Sequence, residues 1–202
     1  MTISKPNGAQ VRPPIILASR SPRRQLLLRQ IGLTFTVRPS RTDEAIRHEQ
    51  TPGQNVKRIA LEKALDVASR TKRGIVVGAD TIVVLGTRIL GKPESRTEAR
   101  RMLRSLSGKA HYVYTGFAII DAPGGKTHSE VVRTKVWFRS LTGREIDQYV
   151  ASGSPLDKAG AYGIQDDFGA VFVERISGCF YNVVGFPLVR FYRALRRFSK
   201  AV

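Results

Sequence analysis

The chain has 202 residues, of which 42% are hydrophobic and 25% charged, a composition that excludes wholesale disorder and suits one domain of moderate size. No apolar run approaches the roughly 18–20 residues that a membrane span requires. The 34 Lys and Arg residues outnumber the 16 Asp and Glu residues, and the resulting net charge of +18 would attract an anionic partner, either a nucleic acid or a small phosphorylated substrate. The alternative is that many of these charges simply form a solvated surface.

The first 14 residues, Met1–Pro14, are polar and lack the apolar stretch of a secretory signal. They predict a flexible tail in front of a single α/β domain at residues 15–202. Cys179 is the only cysteine, so the chain forms no internal disulfide, as is usual in a reducing compartment. These features predict a cytoplasmic protein.

The first half of the chain predicts strands that alternate with helices. Ile15–Ala18 is a short apolar run typical of a buried strand, and Ser21–Pro22 start a helix that Gly32 ends. A second strand is predicted at Phe35–Val37. After a polar loop, apolar residues recur at helical spacing and predict a helix at about residues 54–69.

The second half adds a long strand and a hairpin. Ile75–Leu85 predicts a strand whose apolar run is interrupted at Gly78–Thr81. The alternating segments His111–Ile120 and Ser129–Phe138, joined by a turn rich in Pro and Gly, are typical of a β-hairpin. The other predicted elements are a return strand at Ile89–Leu90, helices at Glu98–Leu106 and Thr142–Ala151, a glycine-rich loop at Gly153–Gln165, a strand at Val171–Ile176 and a helix from Pro187. This order predicts an α/β fold with a mixed, twisted sheet and flanking helices, in two lobes around a central cleft.

The junction between the first strand and the first helix has the features of an anion site. Free N–H groups at the start of the helix are flanked by Arg23 and Arg24, and both kinds of donor match phosphate oxygens. A capped helix with two exposed arginines explains the same residues. The junction alone does not distinguish the two interpretations.

Asp80 places a carboxylate inside an apolar strand, where burial costs several kcal/mol unless a cation or hydrogen-bond donors compensate. Such a carboxylate often acts as a catalytic base or a metal ligand at a strand end. The alternative is a turn or bulge residue that accepts backbone hydrogen bonds, which Gly78 permits. We favour the functional interpretation.

Four other polar residues acquire a functional interpretation only in combination. Glu44 lies in a polar loop and Lys92 follows a glycine turn, so each alone indicates a solvated surface residue. Lys63 shares a helix face with apolar residues, where it either snorkels to solvent or points into a polar cleft. Gln165 ends a loop of small residues that a ligand can approach closely, and its amide can pair with the edge of a base.

Several familiar catalytic patterns are absent from the sequence. It contains no zinc-binding spacing, Walker loop, dinucleotide-binding fingerprint or nucleophile elbow. Cys179 has no neighbouring histidine, and His48, His111 and His128 are scattered along the chain. Cysteine–histidine catalysis therefore has little support.

Seven short segments, taken in order, resemble the Maf family of nucleotide pyrophosphatases, which are relatives of the inosine-triphosphate pyrophosphatases. The segments are Ala18–Arg24, Asp43–Glu44, Glu62–Ala64, Gly78–Thr81, Gly91–Pro93, Leu156–Gln165 and Asn182–Pro187. Each is weak alone, but together they span nearly the whole chain after the tail. The loop that ends at Gln165 is similar to the loop of the branch that acts on dTTP and UTP.

The resemblance implies hydrolysis of dTTP, UTP or modified pyrimidine analogues between the α- and β-phosphates, with Mg²⁺ or Mn²⁺ as cofactor. The catalytic residues that it implies are Asp80, Glu44, Lys63 and Lys92. The substrate-binding residues that it implies are Ser19, Arg23, Arg24, Thr81 and Gln165. We expect Asp80 to act as the base or to position water, and we expect Glu44 and Asp80 to hold the metal, because hard divalent cations prefer carboxylate oxygens.

A basic nucleic-acid-binding or cell-division regulatory protein is the alternative, because the charge is +18 and the family is also linked to septum formation. Nucleic-acid surfaces cluster their basic residues, often with aromatic ones, whereas the basic residues here are spread over predicted helices. We therefore expect a nucleoside triphosphate substrate, no nucleic acid or membrane partner, and, by analogy with similar folds, a homodimer. A purine-directed pyrophosphatase is the alternative within the enzymes.

Overall fold

The structure is a computed structural model that describes residues 13–165 and 167–199. In this part of the chain, seven strands form one mixed sheet with flanking helices, as the sequence predicts. The strands are β1 (Ile15–Leu17), β2 (Phe35–Val37), β3 (Gly74–Leu85), β4 (Arg88–Leu90), β5 (Ala110–Ala122), β6 (Thr127–Phe138) and β7 (Val173–Ser177). The helices are α1 (Pro22–Gln30), α2 (Pro52–Ala68), α3 (Arg96–Leu106), α4 (Gly143–Ala151), α5 (Phe180–Val184) and α6 (Leu188–Ser199). Of the predicted tail at residues 1–14, all but the last two residues lie outside the described part.

The order of the strands creates a crevice at the end of β1. The sheet runs β2–β1–β3–β5–β6–β7, and β4 pairs with β3. β1 is parallel to β2 and β3, whereas the pairs from β3 to β7 are antiparallel. α1 packs on one face of the sheet and α2 on the other. The connection from β1 to β2 through α1 therefore crosses one face of the sheet, and the connection from β2 to β3 through α2 crosses the other. Open α/β sheets bind ligands at such a switch point.

The apolar core lies on both faces of the sheet. The larger layer joins the sheet to α1, α3, α4 and α6, and at its centre the fully buried rings of Phe117, Phe186 and Phe191 lie 4.7 to 6.2 Å apart. The smaller layer lies under α2 and includes Val76 and Ala118. No helix in the described ranges has both the length and the apolar character that a membrane crossing needs.

α2 begins at a capping box and packs unusually close to the sheet. The Thr51 side chain accepts from the Gln54 N–H and the Gln54 side chain accepts from the Thr51 N–H, which satisfies two donors that the helix leaves free. Further along, a Cβ at Gly78 would overlap the Ala60 carbonyl oxygen, and one at Gly116 would overlap the Val56 carbonyl oxygen. The two glycines thus let the helix backbone rest directly on β3 and β5.

Asp80 lies in the middle of a continuous strand, which corrects the expectation that it stands at a strand end or in a turn or bulge. It pairs with Gly116 of β5, in register with its neighbours on both sides. The strand continues because the backbone pairs independently of the side chain, and a partner described below compensates the carboxylate.

The elements near the C-terminus differ in detail from the prediction. β7 begins at Val173, whereas the sequence predicts a strand from Val171, because Asp167–Phe172 form a 3₁₀ helix. Burial of the Phe172 ring against Tyr149 and a hydrogen bond from Arg139 to the Val171 carbonyl stabilise that turn. The glycine-rich loop contains two short 3₁₀ turns, and α5 is too short to show a helical period in the sequence.

Replacing Gly78 with Ala should destabilise the protein by about 1–3 kcal/mol, because the added methyl group forces α2 away from the sheet. Gly143→Ala is the matched control, since a Cβ there meets no atom within 4 Å. Urea denaturation of both variants measures the difference. Equal stabilities would contradict the close packing of α2.

Candidate active site

A cleft of about 1190 Å³ opens beside the end of β1. It exceeds the roughly 300–1,000 Å³ of typical ligand pockets and accommodates a nucleotide. All nine residues to which the resemblance gives a role line this cleft: Ser19, Arg23, Arg24, Glu44, Lys63, Asp80, Thr81, Lys92 and Gln165. They come from six parts of the chain: the β1–α1 junction, the loop before α2, α2 itself, β3, the loop after β4 and the loop before β7. The structure brings them together, and their individual roles stay predictions.

A lysine between two carboxylates forms the floor of the cleft. Lys63 Nζ lies 2.9 Å from Asp80 Oδ1 and 2.9 Å from Glu44 Oε1. Lys63 and Asp80 are buried, whereas the Glu44 side chain is 53% exposed. Because α2 lies so close to β3, the ammonium reaches the Asp80 carboxylate directly. The ion pair offsets the cost of burying both charges and separates two carboxylates that would otherwise repel each other.

Glu44 is ionised at neutral pH. Burial acts to raise its pKa, but the charge and hydrogen bond of Lys63, together with the charges of Lys92 and Arg24, outweigh burial, and the pKa is lowered overall. A carboxylate held in its charged form suits the binding of a cation better than the acceptance of a proton.

Arg24 is buried beside this centre and bound by three neutral oxygen atoms. Its Nε donates to the Gly185 carbonyl, and its terminal nitrogens donate to Ser19 Oγ and Thr81 Oγ1, each at 3.1 Å. Burial lowers its pKa, and the charge of Asp80 opposes that change. None of the ion pairs in the described ranges involves Arg24, so its charge is available to an anion in the cleft.

The residues that hold Arg24 in place include some that the sequence analysis missed. Thr81 Oγ1 also lies 3.0 Å from Thr115 Oγ1 and 3.3 Å from the Gly185 carbonyl oxygen. Thr115 is fully buried and donates to the Asn182 carbonyl. A hydroxyl at a buried position of an apolar strand is the only sequence signal for Thr115. The hydroxyl of Thr81 is thus engaged within the protein.

The rim of the cleft carries the remaining polar residues. Arg23 donates to Asp157 Oδ2 at 2.6 Å, which ties α1 to the loop before β7. Lys92 is exposed and lines the cleft, and its charge helps to lower the pKa of Glu44. Gln165 is partly buried in the cleft wall.

Among the residues that the structure describes, Glu44 and Asp80 are the two acidic groups at the floor that can hold a divalent cation. The described residues contain no cluster of three or more His, Cys, Asp or Glu residues suited to a metal ion. Lys63 bonds one oxygen of Glu44 and one of Asp80, and each carboxylate has a second oxygen. Mg²⁺ commonly binds through one or two carboxylates when water and substrate phosphates complete its ligands. The residues therefore fit a cation that arrives with a phosphorylated substrate.

The fold and the cleft define an α/β protein with an anion-binding site built from Arg, Lys and two carboxylates. A family model described as Maf-like protein matches residues 14–198. The chain is 50% identical over 185 residues to the dTTP/UTP pyrophosphatase of Moorella thermoacetica, covering 92% of this chain and 95% of that protein. It is 48% identical to that of Desulforamulus reducens (92% and 97% covered) and 50% identical to that of Bacillus anthracis (92% and 95%). The chain belongs to the Maf family, as the sequence motifs predict.

Replacing Lys63 with Met should lower the free energy of unfolding by about 3 kcal/mol, because Asp80 then stays buried without a counter-charge. Lys57→Met is the control: Lys57 is exposed on the same helix, and its loss should change stability by less than about 0.5 kcal/mol. Chemical denaturation of both variants at pH 7 measures the effect. Similar free energies of unfolding for the two variants would contradict the stabilising role of the buried Lys63–Asp80 ion pair.

Proposed function

We propose that this protein hydrolyses dTTP and UTP to the nucleoside monophosphate and pyrophosphate. One observation carries the proposal. Lys63 stands between Asp80 and Glu44 at the floor of a cleft lined by further cations, in a chain about half identical to proteins named dTTP/UTP pyrophosphatase. Cations bind the triphosphate, and carboxylates serve a divalent cation and the attacking water.

The triphosphate lies between the start of α1 and the floor of the cleft. In the first turn of α1, Pro22 has no N–H and the Arg24 N–H donates to Ser21 Oγ. The Arg23 N–H and the Arg24 guanidinium therefore offer the donors to phosphate oxygens. Lys63 and Lys92 offer two more charges on the other side. These groups neutralise the charge that develops on the departing pyrophosphate, which lowers the barrier to hydrolysis.

Hydrolysis requires a water molecule beside the α-phosphate and a group that takes its proton. Asp80 is the buried carboxylate of the pair, so we assign it the positioning of that water and the acceptance of its proton. The water oxygen bonds to the α-phosphorus, and the bond from that phosphorus to the oxygen bridging to the β-phosphate breaks with its electrons leaving on pyrophosphate. Glu44 and Asp80 would hold Mg²⁺ or Mn²⁺, which when bound polarises the phosphate and the water.

Residues at the rim of the cleft select the base of the nucleotide. The edge of thymine or uracil presents an N–H between two carbonyl oxygens, and the Gln165 amide supplies both an acceptor and donors. Arg23 lies on the same rim, held by Asp157. Thr81, which the resemblance implies as a substrate-binding residue, acts through its hydrogen bond from Arg24.

Pyrophosphate release from a panel of dTTP, UTP, CTP, ITP and 7-methyl-GTP tests the reaction and its specificity together. With Mg²⁺ or Mn²⁺ we expect dTTP and UTP to be the best substrates, and EDTA should abolish release because the pair of carboxylates then lacks its cation. Preference for ITP would replace the pyrimidine assignment by a purine-directed one. Absence of release from every nucleotide would refute the function.

Asp80→Asn should lower kcat for dTTP at least about a hundredfold, because an amide accepts no proton from water. Asp147→Asn makes the same change on the exposed surface of α4 and should leave kcat unaltered. Circular dichroism verifies that both variants are folded. A folded Asp80→Asn variant with nearly full activity would exclude Asp80 as the base.

A further inference from the structure

Aromatic and basic side chains gather on one face of the sheet, outside the cleft. The residues of this aromatic–basic patch are Tyr112, Tyr114, Arg133, Lys135, Trp137 and Arg175. They share a face because they alternate along their strands and stand opposite each other in register: Tyr112 with Lys135, Tyr114 with Arg133, and Trp137 with Arg175. Strand pairing thus brings together residues that are far apart in sequence.

The patch lies beside α2 and next to the wall of the cleft. The first turns of α2 cover the same face at Gly116 and Val131. Beyond them, Tyr112 and Tyr114 pack against an apolar cluster that includes Ile82 and Ile89, two residues that line the cleft. The three aromatic residues of the patch are half-buried, so each keeps part of its surface open to solvent.

Each cation of the patch lies over an aromatic ring. The Arg175 guanidinium is 4.0 Å from the Trp137 ring centroid, and the Arg133 guanidinium is 4.9 Å from that of Tyr112. Lys135 Nζ lies between the two rings, 4.8 Å from Trp137 and 5.8 Å from Tyr112. All are within the range of a cation–π interaction.

The three cations of the patch are not neutralised by acidic groups of the part of the chain that the structure describes. Within the ranges that the structure describes, Arg133, Lys135 and Arg175 form no ion pair. Arginines elsewhere on the surface do pair with acids, as Arg100 does with Asp147 and Arg190 with Glu130. Cross-strand packing alone explains why the side chains cover the rings, but it does not require three unpaired charges among three aromatic residues.

We propose that the aromatic–basic patch binds a single-stranded polynucleotide. Bases stack on Trp137, Tyr112 and Tyr114, either directly or with an arginine plane between, and phosphodiesters bind the neighbouring cations. A duplex hides the faces of its bases and offers only its phosphates, so the aromatic residues favour a single strand. The net charge of +18 adds long-range attraction. This activity is independent of the proposed hydrolysis.

The fluorescence of Trp137 tests the proposal directly, because it is the only tryptophan of the chain. Oligothymidylate and oligouridylate of 12 nucleotides should each quench it in a saturable way and raise the anisotropy of a dye on the oligonucleotide. The tighter of the two identifies DNA or RNA as the preferred strand. Tyr112→Ala, which keeps the tryptophan, should weaken binding about 5- to 100-fold, the usual effect of losing a stacking residue.

Two variants that each remove two arginines distinguish binding at the patch from attraction by the net positive charge of the protein. Arg133→Ala/Arg175→Ala should weaken binding at least about tenfold more than Arg193→Ala/Arg197→Ala, which removes two exposed charges from α6. Equal losses in the two double variants, equal binding of a 12-base-pair duplex, or absence of quenching would each overturn the proposal. Displacement of the oligonucleotide by a saturating non-hydrolysable dTTP analogue would also overturn it, because the strand would then occupy the cleft.

The same variants distinguish this proposal from the proposed hydrolysis. Arg133→Ala/Arg175→Ala should release pyrophosphate from dTTP at the wild-type rate. If the wild type releases none and still binds the oligonucleotide through the patch, only the hydrolytic function fails.

Discussion

The rest of the site depends on the ion pairs that the buried ammonium of Lys63 forms with Asp80 and Glu44. They exist because Gly78 and Gly116 let α2 rest on the sheet, which brings a helix lysine onto a strand carboxylate. Replacing either glycine with alanine would therefore lower the stability of the fold and displace Lys63 from Asp80. The close approach of α2 to the sheet and the charge cluster in the cleft are thus two consequences of one packing arrangement.

The positive charges around this centre differ in how the protein holds them. Lys63 is neutralised by carboxylates, whereas within the described part of the chain Arg24 donates to hydroxyl and carbonyl oxygens, among them those of Thr81 and Gly185. Neutral partners fix the guanidinium without cancelling its charge, so the field of Arg24 extends into the cleft. The buried hydroxyl of Thr115 supports this arrangement from the next strand. The cleft therefore combines a compensated floor with an uncompensated wall, an arrangement suited to a triphosphate that carries a divalent cation.

Much of this could be predicted from the sequence, and the failures have physical causes. Apolar periodicity located most helices and strands, and the ordered motifs identified residues that prove to share one cleft. Periodicity could not reveal α5, which is too short. It also could not show what compensates the charge of Asp80 inside the predicted strand, because the compensating lysine comes from a helix distant in sequence. The role of Thr115 and the patch around Trp137 depend on the register between strands. In the sequence the basic residues are spread over predicted helices, and the pairing of strands is needed to show that basic and aromatic residues lie side by side.

A crystal structure with Mn²⁺ and a dTTP analogue that has an imido group between the α- and β-phosphates would test the central claim most directly. The account predicts the triphosphate between Arg24 and Lys63, with an anomalous manganese peak beside the carboxylates of Glu44 and Asp80. A nucleotide bound away from the floor of the cleft, or a manganese peak remote from both carboxylates, would contradict it.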